Sequence, residues 1–193
     1  MAENMNQIAG NELLRGEKVR LTMVKHDDIE RYAQWFGSDI EMMRQLGFMP
    51  TFPMTLADEE QWFEHALEES DLFGFAVRTL ENNQLIGNVA LMRINWQSRA
   101  SEVGISIADP AFRNSGYGTD TMRVILRFGF MEVNLNRIWL RVFSHNPRAI
   151  RSYEKVGFQH EGAIRASMAR DHQYFDILIM SILRREWVAV NGK

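Results

Sequence analysis

The spacing of apolar residues along the chain predicts strands that alternate with amphipathic helices. Apolar runs with a period of two predict strands at residues 19–24, 73–79, 85–92, 101–108, 136–143, 158–165 and 174–183. Apolar residues spaced three and four apart predict four helices, which start near residues 28, 55, 121 and 147. Asp27 and Asp28 are the predicted N-caps of the first helix, and Thr55, followed by Asp58, is the predicted N-cap of the second. The helix after Asn146 is predicted to end at Gly157.

The order of these elements predicts the fold class. One strand and two helices precede three strands, and a helix, a strand, a helix and two strands follow. This order indicates an α/β (α+β) domain with a mixed, mostly antiparallel central sheet flanked by helices. The step from the strand at 101–108 through a helix to the strand at 136–143 favours a right-handed crossover between parallel strands. We expect a flexible tail over residues 1–16 and a single domain over 17–193.

The loop over residues 108–120 joins a strand to a helix and is the main candidate for a ligand site. Gly116 and Gly118 can take a positive φ or lie against another group without a Cβ in the way. Such a loop can turn N–H groups toward one point at the positive end of the next helix, and Arg113 adds a charged donor. These features suit a phosphate or pyrophosphate. An ordinary strand-to-helix turn explains the glycines alone equally well.

Composition and charge exclude several function classes. The 193 residues include no cysteine, which excludes disulfides, thiolate metal ligands and an acyl-cysteine intermediate. A formal net charge of -3 provides no basic field for a nucleic-acid backbone, so an anionic ligand has to be held locally. No apolar run approaches the ~20 residues of a membrane helix, and the polar N-terminus has no signal-like segment. We therefore expect a cytoplasmic protein that binds neither membranes nor nucleic acids.

Three other catalytic patterns are set aside. Ser106 lies inside an alternating strand rather than at a strand-to-helix turn, unlike the nucleophile of a serine hydrolase. The five histidines show no ligand spacing, so no metal is expected. The glycine loop lacks the lysine and hydroxyl residue of a nucleoside-triphosphate loop and the G-x-G-x-x-G order of a dinucleotide fold.

Two segments together resemble the GNAT superfamily of N-acetyltransferases. The run Arg113-x-x-Gly116-x-Gly118 fits the family's [R/Q]-x-x-G-x-[G/A] pyrophosphate motif, and residues 146–158 fit its N-x-x-A-x-x-x-Y-x-x-x-G-F signature at every position. The likeness extends from residue 17 to about residue 187. Its last part, from Glu161 to Trp187, is similar to the branch that contains ribosomal-protein N-terminal acetyltransferases. That branch also holds enzymes for other amines, so the acceptor is not fixed by the resemblance.

The resemblance implies acetyl-CoA as co-substrate and a primary amine as acceptor, attacking directly in a ternary complex. Tyr153 is implied as the acid that protonates the departing thiolate. Glu102, the only carboxylate on its strand before the turn, is the candidate base, acting through water. Backbone N–H groups near Ile105 are expected to polarise the thioester carbonyl. The implied CoA-binding residues are Ile105, Ile107, Arg113, Asn114, Ser115, Gly116, Tyr117, Gly118, Thr119, Asn146, Ala149 and Tyr153.

The acceptor is expected on the aromatic and methionine-rich stretch at residues 35–63, with Phe48, Met49 and Phe52 lining a pocket and most of the other large side chains in the core. Several alternatives stay open. Asn146 could be a helix cap only, Tyr153 a core residue and Glu102 a solvated strand end. A CoA-binding sensor without useful catalysis and an acyl donor larger than acetyl are the competing functions. A strand at 174–183, expected to be exposed, leaves a homodimer open.

Overall fold

The computed structural model describes residues 12–46, 54–68 and 70–192, without the side chains of 66–68. In this part of the chain every predicted strand is present. The strands are β1 (Val19–Thr22), β2 (Phe73–Thr79), β3 (Leu85–Asn95), β4 (Ala100–Ile107), β5 (Arg137–Phe143), β6 (Gln159–Arg170) and β7 (Gln173–Leu183). The helices are α1 (His26–Ser38), α2 (Ile40–Leu46), α3 (Leu56–Glu68), α4 (Tyr117–Met131), α5 (Pro147–Lys155) and α6 (Arg184–Asn191). The short helices α2 and α6 were not predicted from the sequence.

The strands form one seven-stranded sheet in the order β1-β2-β3-β4-β5-β7-β6. Neighbouring strands are antiparallel except β4 and β5, which pair in parallel. The predicted mixed, mostly antiparallel sheet with flanking helices is therefore confirmed. The expectation of an exposed strand at 174–183 is wrong, because β7 is hydrogen-bonded to β5 on one side and β6 on the other. The edge strands of the sheet are β1 and β6, and β6 is exposed from residue 159 to residue 167.

The core lies between the sheet and the apolar face of α4. Met122, Ile125, Leu126 and Phe130 of this helix are each at most 1% exposed. A second cluster under α1 and α2 contains Tyr32, Trp35, Phe36, Met42, Met43 and Ala108. Its members confirm that much of the aromatic and methionine-rich stretch is core, although Trp62 is 45% exposed. The predicted pocket residues Phe48, Met49 and Phe52 lie outside the described residues.

Asp120 fixes the start of β1 to the start of α4. Its buried carboxylate accepts hydrogen bonds from the backbone N–H groups of Glu17, Lys18 and Val19, at 3.1, 2.7 and 3.0 Å. A Cβ on Gly16 would come within 2.4 Å of this carboxylate, so the close approach needs a glycine there. The Asp120 contacts hold the 108–120 loop against the first strand of the sheet.

The helix ends follow local capping chemistry, with one correction. Thr55 and Asp58 exchange the predicted capping hydrogen bonds at the start of α3. The prediction that Asp28 caps α1 is wrong, because the helix begins at His26 and Asp28 falls in its first turn. There Asp28 accepts from the backbone N–H of Lys25 at 2.9 Å and pairs with the half-buried Arg78.

Candidate active site

The site begins where β4 and β5 separate. The two strands pair only from Ala100 with Arg137 to Glu102 with Trp139, and beyond this point each is bonded only to its other neighbour. The backbone edge of β4 that faces β5 is therefore open from residue 103 onward. A gap in a sheet at the carboxyl end of a parallel pair is a common place for a ligand to enter.

The open edge of β4 presents backbone groups of Ile105 and Ile107. The carbonyl of Ile107 accepts from Nε of Arg113 at 2.9 Å, while the next N–H, that of Ala108, is bonded to β3 through Ile86. Backbone groups of alternate residues along a strand point to the same edge, so those of Ile105 face the gap together with those of Ile107. The predicted N–H donors near Ile105 are thus on the side where a ligand can reach them.

The glycine loop ends in a left-handed residue and an uncapped helix start. Gly116 has φ 86° and is the N-cap of α4, with no side chain to satisfy the first N–H groups. The first N–H to find a partner in the helix is that of Asp120, bonded to the Gly116 carbonyl at 3.0 Å. The N–H groups of residues 117–119 therefore precede the intrahelical ladder, which makes this helix end suited to an anion.

Gly118 has no internal reason to be glycine. Its φ is not positive, and a Cβ there would meet only Ile107 Cγ1 at 3.6 Å, an ordinary contact. Glycine in a helix is nonetheless less stable than alanine by up to about 1 kcal/mol. Gly118 lines a cleft, so the absence of a side chain there leaves open space beside the helix.

A cleft of about 340 Å³, here called the loop cleft, runs between the glycine loop and α5. Its cations include Arg148, Arg151 and Lys155, and no carboxylate is among the described residues that line it. The predicted residues that line it are Ile105, Ile107, Arg113, Asn114, Gly116, Gly118, Thr119, Ala149 and Tyr153.

A second cleft of about 320 Å³, here called the gap cleft, lies between α2 and the separating strands. Its lining from α2 includes Glu41 and Gln45, and its lining from β5 includes Arg141 and Val142. Both clefts share six lining residues, which are Ile105, Ile107, Arg113, Arg148, Ala149 and Tyr153. Tyr153 and the open edge of β4 therefore lie at the junction of the two spaces.

Tyr153 is held at this junction by α5. The helix is capped as predicted, since Asn146 accepts from the backbone N–H of Ala149 at 3.1 Å and Gly157 closes it with φ 101°. Burial raises the pKa of Tyr153 to about 12, an effect opposed by the positive charge of Arg148. The hydroxyl has no hydrogen-bond partner among the described residues. It is therefore a neutral donor available to a ligand at neutral pH.

Glu102 is not placed for the predicted role of base. One carboxylate oxygen accepts from Arg141 Nε at 2.8 Å, and the other is bonded to Arg93. Its side chain is 8% exposed, and it lines neither cleft. The two guanidinium partners occupy both of its oxygens. Glu102 instead orients Arg141, which does line the gap cleft.

The guanidinium of Arg113 is engaged within the protein. It donates to the carbonyls of Ile107 and Ala108, at 2.9 and 2.7 Å, and pairs with Asp39 at 2.9 Å. In this arrangement Arg113 shapes the loop, and the expected charged donor to the anion has to come from another residue. Lys18 is near, since its Cε lies 3.6 Å from a Cβ built on Gly116.

The remaining predicted residues are at the margins of the clefts. Asn146 lines only the gap cleft. Ser115 is exposed, and its hydroxyl bonds to the Arg113 carbonyl at 3.3 Å. The ring of Tyr117 packs edge-on against Phe112, with the ammonium of Lys18 5.3 Å from its centre. These residues support the walls more than they line the cleft.

Sequence reasoning missed the basic residues of the loop cleft. Arg148, Arg151 and Lys155 recur at spacings of three and four on α5, beside the face that carries Ala149 and Tyr153. That spacing was the signal from which a basic helix face beside the site could have been predicted. Glu41 gave no comparable signal because α2 was not predicted.

Within the described part of the chain, no group of three or more His, Asp or Glu side chains could hold a metal ion. Of the helices described, none is both long and apolar enough to cross a membrane.

The chain belongs to the GNAT acetyltransferase family. Residues 18–159 match the family described as the acetyltransferase (GNAT) domain. The expected fold and motif pair therefore correspond to a member of this family, and the protein is an acyltransferase of the N-acetyltransferase class.

Individual relatives include enzymes named for different amines. A spermidine N(1)-acetyltransferase of Vibrio cholerae is 32% identical over 67% of this chain and 73% of its own length. A putative ribosomal N-acetyltransferase of Bacillus subtilis, YdaF, is 25% identical over 89% and 94%. The structure of a spermidine N-acetyltransferase from Vibrio cholerae in complex with CoA and spermine aligns with a TM-score of 0.80 at 25% identity, covering 88% of this chain and 98% of that one.

Proposed function

We propose that the protein transfers the acetyl group of acetyl-CoA to a primary amine by direct attack in a ternary complex. The observation that carries the proposal is the junction of two clefts at Tyr153 and the open edge of β4. One cleft has the uncapped start of α4 and a row of cations, and the other is lined by α2 and β5 at the same junction. This arrangement suits two substrates that have to meet at one carbonyl carbon.

Acetyl-CoA fits the loop cleft. Its pyrophosphate would be bound by N–H groups of residues 117–119, with the cations of α5 balancing its charge. The pantetheine chain would follow the open edge of β4, where Ile105 and Ile107 present backbone donors and acceptors. The small side chain of Ala149 leaves room for that chain beside Tyr153.

The chemistry at the junction needs an oxyanion donor and an acid. A backbone N–H at Ile105 can stabilise the oxyanion that forms when the amine adds to the thioester carbonyl, a contribution that reaches about 3 kcal/mol per donor. Tyr153 can donate its hydroxyl proton toward the sulfur as the carbon–sulfur bond breaks. The amine releases its own proton to water in the gap cleft, because both oxygens of Glu102 are occupied by arginines.

Thiol release is the direct test of this function. The protein is incubated with acetyl-CoA and a panel of peptide and small-molecule amines, free CoA is followed with a thiol reagent, and acetylated products are identified by mass. Acetylation of at least one amine, slowed strongly in Tyr153→Phe, is expected. CoA binding without thiol release from any amine would instead indicate the sensor function. Mass analysis of CoA species that copurify with the protein checks for a larger acyl donor.

The cytoplasmic location and the homodimer remain parts of this proposal. Gel filtration combined with light scattering measures the oligomeric state, and fluorescence microscopy of the tagged protein measures the location. A contact between sheet edges would use β1 or β6, because β7 is paired on both sides.

A further inference from the structure

The gap cleft contains cations and only one carboxylate among the described residues that line it. The cations are Arg148, Arg113, which is paired with Asp39, and Arg141, which is paired with Glu102 through Nε, and the carboxylate is Glu41. Residues 47–53, which follow α2 in the sequence and lie outside the described part, include no ionisable side chain. An acceptor with several positive charges would therefore meet like charges in this cleft.

Glu41 is not free to bind a cationic acceptor. It pairs with Arg170 of the β6–β7 hairpin and lies 3.9 Å from Arg44. The hydrogen bond from Arg170 holds its pKa below the usual value. Both arginine contacts are to its Oε2, so a polyamine would compete with them for a carboxylate whose negative charge is already offset. The charge pattern of this cleft thus differs from one expected for a polycationic substrate.

Among the described residues that line the two clefts, none is free to act as a base for a strongly basic amine. Glu41 is paired, and Glu102 lies outside both clefts. His145 also lines neither cleft, and its Nε2 is 3.4 Å from Nη1 of Arg170. The amino group of the acceptor therefore has to be present partly in its neutral form in water before it binds. At pH 7 about one in ten peptide α-amines is neutral, against about one in 2,500 alkyl amines with the pKa of lysine.

Arg141 is oriented to bind an anion in the gap cleft. Its Nε donates to Glu102 at 2.8 Å, and Arg93 holds the other oxygen of that carboxylate. Its terminal nitrogens make no hydrogen bond to any residue in the described ranges, and its side chain is 45% exposed. A guanidinium fixed at Nε presents its remaining N–H donors in the planar geometry that matches a carboxylate.

We propose that the acceptor is the α-amino group of a peptide with an acidic residue among its first two, whose carboxylate is bound by Arg141. This inference rests on the proposed acetyl transfer. It assigns the gap cleft a preference for negative charge beside the reacting amine, and it excludes spermidine as the preferred substrate.

The test compares tripeptide amides that differ only in charge. Asp-Ala-Ala and Ala-Asp-Ala are measured beside their Asn and Lys counterparts and beside spermidine, with free CoA and acetylated product followed together. We expect kcat/KM for the better acidic peptide to exceed that of its Asn counterpart by about tenfold or more. Arg141→Gln should raise KM for the acidic peptide by a similar factor, with kcat and CoA affinity retained, and should leave the Asn peptide unaffected.

A further variant separates a specific loss from a general one. Arg137 lies on the same strand as Arg141, and it is paired with Glu161, which lines neither cleft. Arg137→Gln should therefore keep the preference for the acidic peptide. Preference for spermidine or for the Lys peptides, or equal use of Asp and Asn peptides, overturns the inference while acetyl transfer itself stands. Release of no thiol with any amine, despite CoA binding, overturns the proposed function and this inference together.

Discussion

Replacing Gly118 with alanine should separate CoA binding from folding. A Cβ at this position would meet only Ile107 Cγ1, at 3.6 Å, and φ is not in the left-handed region. Alanine in the first turn of α4 should therefore leave the free energy of unfolding unchanged or raise it by up to about 1 kcal/mol. The same methyl group would occupy space beside the N–H groups proposed to bind the pyrophosphate. Loss of one charge-assisted hydrogen bond costs about 1.5–3 kcal/mol, which corresponds to roughly a tenfold to hundredfold weaker Kd.

Gly129 in the same helix provides a matched control. A Cβ there would come within 2.7 Å of Ile138 Cδ1 and 3.2 Å of Leu91 Cδ1, deep in the core. Gly129→Ala should therefore lower stability by about 1–3 kcal/mol through overpacking, without touching either cleft.

Titration calorimetry with CoA and thermal unfolding followed by circular dichroism measure the two effects. Gly118→Ala should bind CoA more weakly with an unchanged or higher Tm. Gly129→Ala should bind CoA normally well below its Tm, which should fall by at least about 2 °C. Normal CoA affinity in Gly118→Ala would refute the idea that a phosphate approaches this turn of the helix.

Three further outcomes are expected from other variants. Tyr153→Phe should reduce turnover by about 10²-fold with little change in acetyl-CoA affinity. Burial raises the pKa of Tyr153 to about 12, so in the wild-type protein the tyrosine keeps its proton up to pH 9. Wild-type turnover should therefore keep rising up to pH 9 as the acceptor amine loses its proton. Asp120→Ala leaves three backbone N–H groups without their acceptor and should destabilise the protein to urea by about 3 kcal/mol or more, whereas Asp58→Ala, which removes an exposed capping carboxylate, should destabilise it much less. Burial raises the pKa of Glu59 to about 7, so the folded protein holds a proton that the unfolded chain releases above about pH 4.5, and stability should fall as pH rises from there to 7. Glu59→Gln should then be more stable than wild type by up to about 3 kcal/mol at pH 8 and by much less at pH 5.

Local sequence signals predicted those features that depend on neighbouring residues. The strands and α5 were predicted because apolar periodicity and caps such as Asn146 and Gly157 act over a few residues. The glycine loop was predicted for the same reason, since the left-handed conformation of Gly116 depends only on the backbone at that residue.

Contacts distant in sequence could not be predicted in this way. Glu102 was a reasonable base while only its own strand was considered, but Arg93 and Arg141 reach it from the adjacent strands β3 and β5. Arg113 was expected at the anion, yet Asp39, between α1 and α2, pairs with it. Each of these pairings is decided by sheet order and helix packing, which the periodicity of a single segment does not encode.

The sequence by itself determined the family, the donor motifs and the order of the elements, because these depend on short-range patterns and fixed spacings. Only the tertiary structure decided which side chains are free to act. It joined two clefts at Tyr153, paired the carboxylates of Glu41 and Glu102 with arginines, and left the terminal nitrogens of Arg141 beside the gap cleft. The physical reason is that a charge is neutralised by whatever packing brings within about 4 Å, and that distance is set by the fold.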